Sequence, residues 1–363
     1  MFLAVYLRKL DWVIIATSLL LVAFGLLSVY SSSLGRGDFF NFQKQLVFVG
    51  IGLVLMFLFS QLDYRIFKND PYLILILYIL SCLALAGLFF FASEIRGVKG
   101  WYKIGPISLD PIEFSKVILI ILLAKYFSRY HIELYRISHI ILSGAYVLLP
   151  GVLIFLQPDL GSVLILVILW LVILFISGIK MRSFFLLVLC GILVFVLGWS
   201  FLLKDYQKER VLSFIAPAAD PLGASWSQNQ AKIAIGSGGI LGQGFGRGPQ
   251  TQYGFLPEPQ TDFIFASIAE EFGLVGIMVL LALFFVLISR IIKIALDSES
   301  NFPRLFASGF AVILISQIFV NIGMNLSLLP VIGIPLPLVS YGGSSLIMIF
   351  VALGILQNIK KNQ

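Results

Sequence analysis

The chain has 363 residues, of which 60% are hydrophobic and only 12% charged, and its mean hydropathy is +1.02. Those values exclude an ordinary soluble globular domain and place the chain in a bilayer. The net charge of +7 has no basic domain behind it, which excludes a nucleic-acid reading and leaves attraction to anionic lipid headgroups.

Apolar runs long enough to cross about 30 Å of hydrocarbon as helices fall near residues 12–31, 45–61, 72–92, 112–128, 137–156, 160–178, 183–203, 263–289, 304–326 and 342–359. The predicted fold class is therefore all-α, a polytopic membrane protein of about ten transmembrane helices. An open sheet would leave backbone groups unpaired in lipid, and no stretch alternates with the period of two that a barrel requires. Arg8 and Lys9 precede the first run, and no small-residue cleavage site follows it, so it reads as a retained span. With the N-terminus inside, fourteen Lys and Arg fall on the inner face, against five (Arg36, Lys44, Arg96, Lys99 and Lys103) in short outer loops. That asymmetry predicts that both termini are cytoplasmic. Cys82 and Cys190 fall inside spans, and His131 and His139 have no companion at metal spacing, so neither pair suggests a zinc site.

The chain reads as one transmembrane domain, 1–363, interrupted by a single long outer loop at 204–262. A connection that long is functional or disordered, and its mixture of aromatic, aliphatic and turn residues argues against disorder. Short interfacial helices and tight turns packed on the outer mouth of the bundle are expected. Its glycines, from Gly236 to Gly248, match no nucleotide fingerprint. They serve either close backbone approach or a cradle of N–H groups for a lipid phosphate.

Charged residues in or beside spans must pair or face a polar cavity, so each one is a functional candidate. In "GWYKIGPISLDPIEFSK", Glu113 and Lys116 share a helix face and can pair. That pair either fixes helix packing or lets Glu113 hold Lys116 toward an anionic ligand. Trp101 and Tyr102 are interfacial anchors or a ligand platform. In "QPDLGS", Asp159 suits a helix N-cap or chemistry. The loop cations Lys204, Lys208, Arg210, Lys232 and Arg247 meet headgroups or converge on a phosphate. In "PEPQTDFIF", Thr261 or Asp262 caps the next helix, or Asp262 is a general base whose pKa is raised by partial desolvation. Ser267 and Glu270 also match a capping box.

These motifs, with "DYQKERVLSFIAPAADPLG", "AKIAIGSGGILGQGFG" and "NIGMNLSLLPVIGIPLPLVSYGGSS", occur in order along most of the chain. In this the chain resembles the SEDS family of bacterial cell-shape, division and sporulation proteins, its RodA branch more than its FtsW branch. The resemblance implies ten spans and a peptidoglycan glycosyltransferase that polymerises lipid II, an undecaprenyl-pyrophosphate disaccharide pentapeptide, into glycan strands for cell elongation. It implies a class B penicillin-binding protein as transpeptidase partner, alongside other elongation-complex membrane proteins. It maps the catalytic carboxylate onto Asp262 and the Glu and Lys of the fourth span onto Glu113 and Lys116.

Three departures stand out. Gln260 replaces the family's usual His, Asp110-Pro111-Ile112-Glu113 replaces Gln-Pro-Ser-Glu, and Ala231 replaces a Ser. Converting an α-linked donor to a β-1,4 product requires inversion, with one base and strong stabilisation of the leaving pyrophosphate. Asp262 is the expected base. Lys116, Arg210 and Lys232, or a divalent cation (Mg or Mn), are expected to neutralise the pyrophosphate, with no other cofactor required. The rival readings are a lipid II flippase, which predicts substrate contacts on both faces, and a scaffold that recruits the transpeptidase without chemistry of its own.

Overall fold

The computed structural model describes residues 9–92, 100–105, 107–130, 137–201, 208, 209, 212, 214 and 225–363. Arg210, Lys204 and His131 lie outside the described residues, as do Arg8, Arg96, Lys99 and Arg136 of the charge pattern.

Each of the ten expected spans coincides with a helix: α1 (Trp12–Arg36), α2 (Phe40–Gln61), α4 (Pro71–Phe91), α5 (Pro111–Tyr130), α6 (Ile137–Leu156), α7 (Leu160–Ile176), α8 (Met181–Phe201), α11 (Ile264–Asp297), α12 (Asn301–Asn325) and α13 (Gly343–Lys361). Shorter helices among the described residues include α3 (Arg65–Asn69), α9 (Trp226–Gly238) and α10 (Pro249–Gln252). Among the described residues eight helices are long and apolar enough to cross a membrane, so this is a multi-pass membrane protein. Of the other two spans, α7 has 17 residues, and α5 carries Glu113, Lys116, Lys125 and Arg129. Among the described residues the only sheet is an antiparallel hairpin of β1 (Tyr102–Ile104) and β2 (Ile107–Leu109), which pairs Tyr102 with Leu109. The Tyr102 hydroxyl ties it to the bundle by donating to the Ala84 carbonyl at 2.6 Å.

The helices begin where local chemistry permits. Asp11 caps α1 through the Val13 and Ile14 N–H groups, and Asp70 caps α4 with Pro71 in the first turn, each satisfying donors that a helix start leaves open. Helix α12 is the packing centre: it contacts α5, α7, α9 and α11 and buries Phe302, Phe306 and Phe310. Helix α8 lies at the periphery with most side chains exposed.

The glycine-rich part of the long loop is built into the bundle. Helix α11 breaks at Gly273, whose φ of 64° and ψ of −162° are not helical; a side chain there would meet the backbone of Gly242 and Ile240. The interrupted hydrogen bonds are replaced from outside the helix. Leu274 N donates to Gly239 O at 2.9 Å and Val275 N to Ile240 O at 3.1 Å, while Gln243 N and Gly244 N donate to Glu270 O and Glu271 O at 2.9 and 3.1 Å. Close backbone approach accounts for Gly238 and Gly242, where a side chain would strike the Ala269 and Glu271 carbonyls, and positive φ for Gly239, Gly244 and Gly246. The N–H groups that a phosphate cradle would use at Gln243 and Gly244 are spent on protein carbonyls.

The expected capping box is not formed. Helix α11 runs through Ser267 without restarting, and Glu270, fully buried, turns to α10 instead. It accepts from Gln250 N at 2.7 Å, Thr251 N at 3.0 Å and Thr251 Oγ1 at 2.7 Å. The first N–H groups of α10 have no partner within that short helix, and this carboxylate supplies one. Beside it, Glu271 accepts from the Ser31 hydroxyl and from Gln252 Nε2, which joins α1 to α11. Replacing Glu270 by Ala removes the acceptor of Gln250 N and of the buried Thr251 N, while Thr251 Oγ1 keeps Ser267 Oγ at 3.2 Å, and is expected to cost about 2–4 kcal/mol. Thermal unfolding of the purified protein in detergent checks this, and an unchanged midpoint contradicts the capping role.

Candidate active site

The segment ending at Asp262 is a run of tight turns in which the Gln260, Thr261 and Asp262 carbonyls are each held. It follows a turn at Glu258, where φ is 47° and the carbonyl accepts from both Thr261 N and Phe263 N at 3.2 Å. A non-glycine residue in that conformation is strained and persists only where the surroundings enforce it. They do so here from two sides. Tyr341 N donates to Gln260 O at 2.8 Å, and Ser340 Oγ donates to Thr261 O at 2.7 Å. Asn321 Nδ2 and Asn325 Nδ2, both on α12, donate to Asp262 O at 3.1 and 2.9 Å.

Neither Thr261 nor Asp262 caps α11, which corrects the capping expectation. The cap position is Phe263 and makes no side-chain bond. The Ala266 N–H is met by Asn325 Oδ1 at 3.1 Å, and Thr261 Oγ1 donates to Glu258 Oε2 at 3.4 Å. With the helix start served from α12, the Asp262 carboxylate is not needed there, and it lines a cavity of about 550 Å³.

Trp101, Glu113, Lys116 and Asp159 line the same cavity. Glu113 and Lys116 form an ion pair at 2.8 Å, with the residues only 8% and 3% exposed. Burial at that level makes loss of either partner costly, because it leaves an uncompensated charge. Asp159 does cap α7, accepting from Ser162 N at 3.0 Å, and also stands on the cavity wall. Gln260 has both ends of its amide bonded: Asn41 Nδ2 donates to its Oε1 at 2.8 Å, and its Nε2 donates to Ser33 Oγ at 3.3 Å. The polar role survives the departure from His, without a titrating group. Lys232 is not brought to this site; it is exposed on α9. Arg210 lies outside the described residues.

Several site residues were not singled out from the sequence. Lys44 lines the cavity, with its Nζ 3.9 Å from the centre of the Phe40 ring; helix α2 starts at Phe40, earlier than hydropathy indicates, and carries Lys44 inward. Glu258 and Asp110 also line the wall. Asp110 N donates to Ser344 Oγ and Asp110 Oδ1 accepts from Ile112 N, both at 2.9 Å. Burial first, then the Glu113 charge, push the Asp110 carboxyl up to about 8 against the opposing pull of Lys116. Asn321 and Asn325 did carry a signal, since polar groups four apart in an apolar helix call for a partner. Among the described residues no three of His, Cys, Asp and Glu gather into a metal site.

Comparison with known proteins bears on the family. Residues 11–363 match the family model FtsW/RodA/SpoVE, described as cell cycle protein. The chain is 37% identical over 351 residues to the peptidoglycan glycosyltransferase MrdB of Escherichia coli K12, covering 96% of this chain and 93% of that protein. It superposes with a TM-score of 0.82 and 33% identity on a chain of a solved peptidoglycan synthase complex that coordinates polymerization and crosslinking, covering 97% and 98% of the two chains. The crystal structure of the Thermus thermophilus rod shape determining protein RodA matches with a TM-score of 0.72 and 30% identity, covering 97% of each chain. The chain therefore belongs to the FtsW/RodA/SpoVE family, the membership that its motifs led one to expect.

Proposed function

We propose that this chain is a peptidoglycan glycosyltransferase that polymerises lipid II for cell elongation, with Asp262 as general base. The observation that carries the reading is the placement of Asp262, on a strip of locked carbonyls, in one cavity with the buried Glu113–Lys116 pair. The names of its relatives support the reaction class.

The chemistry follows from the bonds that change. The acceptor's sugar hydroxyl attacks the anomeric carbon of the donor as the carbon–oxygen bond to pyrophosphate breaks, and the pyrophosphate leaves with that electron pair. Asp262 takes the hydroxyl proton, and Lys116, held at its Nζ by Glu113, meets the growing negative charge. Lys44 adds a second cation on the wall, and Arg210 is assigned the same role from the long loop. Lys232, on the exposed face of α9, is a candidate for the lipid-linked pyrophosphate outside the cavity. Trp101 offers an aromatic face for a sugar ring.

The asymmetry of Lys and Arg supports cytoplasmic termini and, with them, a cavity on the extracytoplasmic side of the inner membrane. The hairpin, the Asp159 turn and the long loop are then on the face where lipid-linked sugars are consumed. A class B penicillin-binding protein is the proposed transpeptidase partner, a reading that the matched synthase complex supports.

Purified protein incubated with lipid II tests this reading: glycan polymer is expected, whereas translocation of lipid II without polymer would indicate a flippase and neither activity a scaffold. Asp262→Asn, with wild-type unfolding behaviour, is expected to polymerise at least about 100-fold more slowly, the lower end of what a positioned base contributes. A wild-type rate contradicts the assignment. Asn325→Leu removes the donor to Asp262 O and the acceptor for Ala266 N–H, so it is expected to lose about 1–3 kcal/mol of stability and to slow polymerisation as well. Unfolding midpoints and initial rates measured on the same preparation check both effects.

A further inference from the structure

Asp110 stands at the entrance to α5, on the wall of the cavity. It precedes Pro111, the first residue of α5, and its Oδ1 is taken by the Ile112 N–H. Among the described residues no donor bonds its Oδ2, and the side chain lines the cavity that holds Asp262. On its own helix Glu113 and Lys116 neutralise one another at 2.8 Å. From the turn before α7 it faces the charge of Asp159. Lys44 of α2, Glu258 and Asp262 of the strip before α11, and Tyr341 from the segment before α13 are the other ionisable groups on the wall. The lining therefore carries five acids (Asp110, Glu113, Asp159, Glu258 and Asp262) and two lysines (Lys44 and Lys116).

A pyrophosphate is itself anionic. It is repelled by one more carboxylate beside Lys116 and attracted by one more O–H donor. We propose that Asp110 is a substrate-contacting residue, held as the neutral acid, whose O–H donates to a phosphate oxygen of the lipid-linked pyrophosphate. No bond is made or broken at Asp110. The assignment rests on the glycosyltransferase reading for its ligand. The upward displacement of the Asp110 carboxyl by burial and by Glu113 agrees with it: a raised carboxyl keeps its proton below about pH 8 and loses the donor above.

Binding of undecaprenyl pyrophosphate to the full-length protein in nanodiscs is the test, with wild type compared to Asp110→Asn from pH 7 to pH 9. The Asn side chain keeps an oxygen for the Ile112 N–H and retains a donor at every pH. Ionisation of the lipid itself cancels in the ratio of the two affinities. Wild-type affinity is expected to fall relative to Asp110→Asn by about tenfold across that range, as one titrating proton requires. A ratio independent of pH overturns the proposal, as does an Asp110 signal in a carbon-13 carboxyl titration that moves in the ordinary Asp range near 4. If the ratio moves as expected but the wild type makes no polymer from lipid II, the glycosyltransferase reading falls and the phosphate contact stands. If polymer forms and the ratio is flat, the reverse holds.

Discussion

Three successive carbonyl oxygens, those of Gln260, Thr261 and Asp262, accept hydrogen bonds from the segment before α13 and from α12. A turn at the mouth of a membrane bundle leaves carbonyls that no helix or strand ladder satisfies, and an unpaired carbonyl there is costly. The two amides of Asn321 and Asn325 meet that cost at Asp262, and Asn325 also satisfies the start of α11. One side chain thus anchors the strip and relieves Asp262 of a capping role. The strained turn at Glu258 is held by the same set of bonds.

A second constraint supports the first. Helix α11 has to be fixed in depth and rotation for the strip before it to be placed, yet it is broken at Gly273. The backbone of 239–244 is laced into that break, while Glu270 holds α10 and Glu271 meets Ser31 of α1. The long loop is therefore tied to the helix that follows the site. Side-chain packing around α12, with its buried phenylalanines, completes the frame.

Much of this is legible in the sequence because lipid imposes strong rules. Ten apolar runs mark ten helices, and a carboxylate or ammonium beside a span must have a reason, so Asp262, Glu113, Lys116 and Asp159 stand out. What stays hidden is long-range pairing. A helix start at Phe263 looks as though Thr261 or Asp262 should cap it, because local propensity cannot know that Asn325 arrives from about 60 residues away. The same applies to Glu270, whose local spacing suggests a capping box while its partners lie in α10. Lys44 is obscured by the early start of α2, and the Tyr102–Leu109 hairpin is too short for any periodicity to reveal. Lys232, by contrast, is prominent in its motif and is exposed on α9, because motif order fixes neither the face nor the direction of a side chain.

The central claim is that the locked strip aims the Asp262 carboxylate at the attacking hydroxyl. The most direct measurement is a structure of the wild-type protein holding a non-reactive lipid II donor analogue together with a glycan acceptor. A carboxylate oxygen of Asp262 within about 2.6–3.2 Å of the acceptor hydroxyl, with the donor pyrophosphate on the Lys116 side of the cavity, is the predicted result. An acceptor hydroxyl out of reach of Asp262 and facing another base would contradict it.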